Sequence, residues 1–106
     1  MDLIQLHREY LLKKFGRNPS DLSPKEAALA IVGELGELTL NSDFLSWKKQ
    51  NDKDNILEEI TDCLFYILEL YLYYGIVSFD EVEKLYEKKL AKNMNRDDHD
   101  AWKKSD

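Results

Sequence analysis

The chain has 106 residues, 43% of them hydrophobic and 34% charged, with a formal net charge of −6. That is one small domain (residues 1–106) rather than two, with neither a disordered nor a membrane-embedded composition. The acidic balance argues against a nucleic-acid backbone or an anionic membrane surface as the main partner. A small anionic ligand stays possible, because a metal ion can invert the charge of a site.

Cys63 is the only cysteine, so no intramolecular disulfide and no cysteine-based zinc site can form. The opening "MDLIQLHREYLLKKFG" is amphipathic and contains acids, unlike a signal peptide. The most apolar segment, Ile56 to Val77, carries four acidic residues, which excludes a membrane span there. The expected compartment is the cytoplasm.

The spacing predicts a first helix over about Asp2 to Phe15. Leu3, Leu6 and Tyr10 form one stripe, with Ile4, Leu11 and Phe15 beside it. Gly16 and "RNPSDLSP" end it. A second helix starts at "SPKE", with Ser23 at the N-cap, Pro24 in the first helical position and Glu26 closing a capping box. Ala28, Ile31, Leu35 and Leu38 continue it to about Leu40.

The connector "NSDFLSWKKQNDKDN" is polar, but its Phe44, Leu45 and Trp47 suggest that part of it packs, as a short helix. Asn55 and Glu58 are spaced to cap a third helix, "ILEEITDCLFYILELYLYYG", which Gly75 ends. "SFDE" gives another capping box at Ser78 and Glu81. A fourth helix then runs to about Met94, with Phe79, Val82, Leu85, Tyr86 and Leu90 as its inner face. Residues 97–106 form a charged tail. The fold expected is all-α, a four- to five-helix bundle. The third helix is apolar around most of its circumference after Asp62, and a helix apolar all round is buried all round. A second copy of the chain is the expected cover, giving a homodimer or a dimer of dimers.

The second and third helices carry carboxylates with no local cation. No Lys, Arg or His lies between Lys25 and Lys48, or between Lys53 and Lys84. Glu34 and Glu37 are three apart, as are Glu59 and Asp62, with Glu58 four before Asp62, so each set projects from one side of its helix. Like charges this close repel, and in a half-buried setting they raise each other's pKa. Acids at this spacing are ordinarily a solvated face, or near a helix start a complement to its dipole. Around "GELGEL" the apolar neighbours leave little room for an exposed strip. A hard divalent cation such as magnesium, with its preference for carboxylate and phosphate oxygens, satisfies the set. Gly33 and Gly36 have two readings: they permit a close approach of the acidic helix to its neighbour, or they are ordinary helix-packing glycines. A di-iron centre needs Glu-x-x-His motifs, and neither His7 nor His99 completes one.

"GELGEL" followed by "EEITDCLFYILEL", and later by "KLAKNMNR", resembles the MazG-like all-α nucleotide pyrophosphohydrolases, relatives of dimeric dUTPases and dCTP pyrophosphatases. The resemblance covers about Ala27 to Arg96, with E-x-x-E on one helix, E-x-x-D on the next, and a K-x-x-K-N-x-x-R stretch. Two positions depart from it: Gly33 stands where many relatives have a further glutamate, and a few extra residues separate Trp47 from Glu37.

The resemblance implies hydrolysis of a nucleoside triphosphate to the monophosphate and pyrophosphate. It implies magnesium, with manganese as a substitute, on Glu34, Glu37, Glu59 and Asp62, and Glu34 or Glu37 as general base. Lys89, Lys92, Asn93 and Arg96 would bind phosphates, and Phe44 and Trp47 the base. The alternatives are a non-catalytic helical dimerisation or metal-binding module, and a phosphoribosyl-ATP pyrophosphohydrolase.

Overall fold

The computed structural model describes residues 1–40 and 52–96. Among these residues it contains four α-helices and no strand: α1 (Leu3–Phe15), α2 (Pro24–Leu40), α3 (Asp52–Tyr73) and α4 (Phe79–Asn95), with a 3₁₀ turn at Pro19–Asp21. The expected all-α architecture is the one observed. The short connector helix and the tail lie outside the described residues.

The helix ends follow from local chemistry. Asp2 caps α1, its Oδ1 accepting from the backbone N–H groups of Ile4 at 2.9 Å and Gln5 at 3.2 Å. Gly16 closes α1 in the left-handed region, at φ 64°. Its N–H donates to Leu12 O, and the next N–H, of Arg17, donates to Leu11 O at 3.2 Å. Ser23 Oγ accepts from Glu26 N at 3.2 Å, starting α2 where the capping box predicts. Gly75, at φ 90°, ends the turn after α3, with Ile76 N donating to Tyr71 O and Gly75 N to Leu72 O, the paired bonds of a Schellman motif. The Glu81 carboxylate accepts from Val77 N and Ser78 N at the start of α4.

Three expectations need correction. Helix α3 begins at Asp52, so Asn55 lies inside it rather than at its cap. "DKDN" contains no glycine or proline to stop the helix, and Asp54 complements the dipole of its first turn. On α1 the buried stripe is Ile4, His7 and Leu11, whereas Leu3, Leu6 and Tyr10 stay about two-fifths exposed. A polar His7 inside the stripe disguised its period.

On α4 the inner face stops after one turn. Phe79 and Val82 pack against the core cluster of Ile4, Leu11, Leu22, Leu68 and Leu72. Every residue from 83 to 96 is exposed, including Leu85, Tyr86 and Leu90.

Asp2 also ties α4 to α1. Its second oxygen, Oδ2, accepts from Phe79 N at 2.9 Å, so one carboxylate serves two helix starts. That backbone N–H, ahead of those of α1, holds the Asp2 pKa below its ordinary value.

Helices α2 and α3 form the main packing pair. They run antiparallel: Leu22, before α2, sits with Leu68 and Leu72 late in α3, while Glu34, late in α2, meets Glu59 and Asp62 early in α3. The α2 seam is Ala27, Ile31, Glu34 and Leu38, all buried or half-buried at four- and three-residue steps. Among the described residues no helix is long and apolar enough to cross a membrane.

Candidate metal centre

Because Glu34 occupies a seam position of α2, its carboxylate is directed at α3 instead of at solvent. Glu59 and Asp62 lie on the facing side of α3, one turn apart. Oxygens of Glu34, Glu59 and Asp62 all fall within 4.8 Å of one another, and all three residues are half-buried. Glu59 Oε2 is buried with no hydrogen-bond partner, and a buried oxygen without a donor is costly.

The electrostatics record the crowding. The Glu34 pKa is raised to about 7, first by hydrogen bonding with Glu59, then by burial, then by the charges of Glu37, Asp62 and Glu59. Two carboxyl groups can share a hydrogen bond only while one keeps a proton. No cation appears among these influences. The same negative field, after burial, raises the Cys63 thiol pKa and the Tyr66 phenol pKa, so both groups stay protonated.

Three hard oxygen donors within 4.8 Å of one another, with a buried unpartnered oxygen on Glu59, match the donor set of magnesium or manganese. The residues present therefore fit a divalent cation. Glu37 lies one position off the α2 seam and is exposed. It is outside the trio, although its charge reaches Glu34.

A cavity of about 360 Å³ opens beside the trio, with Glu34, Asp62, Tyr66 and Glu69 on its polar side and Tyr10, Phe15 and Phe65 on its aromatic side. Behind that aromatic wall lies His7, 5% exposed, with Nε2 3.5 Å from Glu69 Oε2. Its ring meets Tyr10 and Phe65 at centroid distances of 5.7 and 5.2 Å. Burial lowers the His7 pKa more than Glu69 raises it.

Sequence reasoning missed His7, Arg17, Tyr66 and Glu69. Tyr66 and Glu69 continue the face of Asp62 at steps of four and three, which was a readable signal. Arg17 reaches the cavity from the loop after α1, and no spacing rule indicated that. Lys89, Lys92, Asn93 and Arg96 are exposed on the last turns of α4 and are not among the residues lining the cavity. Phe44 and Trp47 lie outside the described residues.

The close-approach reading of the glycines fails. Among the described residues a Cβ built at Gly33 or Gly36 meets nothing within 4 Å, so neither position is needed for α2 to approach α3.

Residues 6–96 match the model of the dUTPase family, a span that contains the motif core and extends it into α1. No curated protein and no solved structure gives a significant match to the chain.

Proposed function

The chain belongs to the dUTPase family, and from that premise we propose that it is a metal-dependent nucleoside triphosphate pyrophosphohydrolase. Its products would be a nucleoside monophosphate and pyrophosphate. The observation that carries this reading is the trio of Glu34, Glu59 and Asp62 with an orphaned buried oxygen, beside a cavity with an aromatic wall. The order of the E-x-x-E and E-x-x-D motifs keeps the MazG-like enzymes as the finer comparison. The family's description makes dUTP the first substrate to test.

Glu34, Glu59 and Asp62 would hold magnesium, with manganese as a substitute. When bound, such an ion neutralises phosphate charge and acidifies a water molecule. The chain's own contribution is positional, as phosphoryl transfer demands. The antiparallel α2–α3 pair fixes the carboxylates on rigid helices. Glu34 or Glu37 would act as the general base that takes the proton from the attacking water. The Tyr66 hydroxyl, kept protonated by its surroundings, is a donor facing the cavity. The aromatic wall of Tyr10, Phe15 and Phe65 offers the nucleoside an apolar surface; Phe44 and Trp47 remain proposed base ligands from the sequence. Lys89, Lys92, Asn93 and Arg96 remain proposed phosphate ligands, carried on the exposed last turns of α4. A second copy, covering the exposed apolar residues of α3 and α4, completes the proposal as a homo-oligomer.

Product analysis tests the reading. Incubation with dUTP and a panel of other triphosphates plus magnesium, followed by chromatography, should yield monophosphate and pyrophosphate in equal amounts. Diphosphate with orthophosphate, or no product from a folded protein, would overturn it.

A further inference from the structure

Among the described residues the cavity beside the trio has one cation on its wall, Arg17. Its place is built by the end of α1. Gly16 turns the chain through the left-handed region, and the Arg17 backbone N–H is then pinned to Leu11 O at 3.2 Å. The residue after the helix is thereby held at the mouth of the cavity while its side chain stays exposed.

Arg17 does not serve the carboxylates. It forms no ion pair or side-chain hydrogen bond among the described residues. A guanidinium that lines the same cavity as Glu34 and Asp62 without pairing with either is available to something the cavity receives. Guanidinium carries donors only, so that group must present acceptor oxygens, and its planar fork suits phosphate.

Charge balance points the same way. The trio and Glu37 already set four carboxylates against any bound cation, and a polyphosphate adds further negative charge. A site of that kind needs a cation from the protein. Within the protomer the cavity draws none from α4, because residues 83–96 stand exposed and none of them lines it.

We propose that Arg17 is a substrate-binding residue that grips a phosphate oxygen of the nucleotide from within the same protomer. This inference rests on the pyrophosphohydrolase reading, and it adds to that reading a ligand from outside the acidic and basic motifs.

Steady-state kinetics on Arg17→Ala and Arg17→Lys, with inhibition by magnesium pyrophosphate, test it. Arg17→Ala should raise KM on the order of ten- to a hundredfold, the loss of a charge-assisted pair. Pyrophosphate inhibition should weaken in parallel, by a similar factor for every base in the panel. Arg17→Lys should recover part of the loss. Manganese affinity of the protein alone should stay within about twofold, because Arg17 makes no pairing with the trio.

Kinetics of Arg17→Ala within twofold of wild type would overturn the inference while leaving the enzymatic reading intact. A loss confined to one base would overturn it too, by placing the contact on the base edge. A wild-type protein that hydrolyses no triphosphate and binds no pyrophosphate would overturn both.

Discussion

Metal binding at the trio should be strongly pH-dependent near neutrality, and the size of the effect follows from Glu34. Its pKa, about 7 in the metal-free protein, means that a proton shared with Glu59 has to leave before both carboxylates can act as ligands. With one proton released per ion, apparent affinity should rise about tenfold between about pH 6 and pH 8, then flatten. Calorimetric titration with manganese or magnesium, in two buffers of different ionisation enthalpy, reads both quantities. Affinity should climb with pH, and proton release should fall from close to one per ion near about pH 6 to about half at about pH 7.

The metal-free protein should show the matching stability trend. The Glu34 pKa is raised from 4.5 to about 7, so the folded state holds this proton more tightly than the unfolded chain. That contribution is fully present below about 4.5 and is lost as the pH climbs through about 7. Glu34→Gln should flatten this part of the melting profile and abolish the metal-induced rise. Affinity constant over this range, with no proton release, would refute the view that Glu34 and Glu59 share a proton at a common metal site.

Other outcomes follow from the same geometry. Glu37→Gln removes a charge that raises the Glu34 pKa, so the midpoint of the pH-dependent affinity should move below about 7, measured by the same titration. Asp2→Asn should lower the melting temperature above about pH 4 and erase part of the acid limb. The Asp2 pKa lies below 3.8, chiefly through the Phe79 N–H, so its contribution is present above that value and is lost as the pH falls through the lower folded value. Gly36→Ala should stabilise the protein by about 0.5–1 kcal/mol in denaturant titration, since its Cβ meets only open space. Destabilisation there would mean that another surface packs on α2.

Much of the frame was legible because short-range chemistry sets it. Gly16, Gly75, Ser23 and the Ser78–Glu81 pair act within a few residues of themselves, and each ends or starts a helix where its type predicts. The acid pairs were legible because apolar neighbours surround "ELGE" and no cation lies nearby in sequence. What separates Glu34 from Glu37 was not legible. It depends on which seam of α2 meets α3, and the seam runs through Ala27, Ile31, Glu34 and Leu38, leaving Glu37 one position aside.

The errors share a cause. His7 broke the apolar pattern of α1 because it faces Glu69, sixty-two positions away, with Nε2 3.5 Å from Oε2. The stripe on α4 promised burial along its whole length, yet among the described residues only its Phe79 and Val82 pack against the core. Arg17 reaches the cavity through a turn whose direction is set by the packing of α1, and no local rule reports that direction. Position across the fold decides each of these, and sequence spacing reports only position along one helix.

Pyrophosphate release from dUTP and the other triphosphates, measured with and without magnesium for the wild type and Glu59→Gln, tests the central claim most directly. The account predicts metal-dependent release by the wild type, and loss of at least about a hundredfold in the variant with its helical content preserved. Undiminished release by Glu59→Gln, or release by the wild type that persists after chelation, would contradict it.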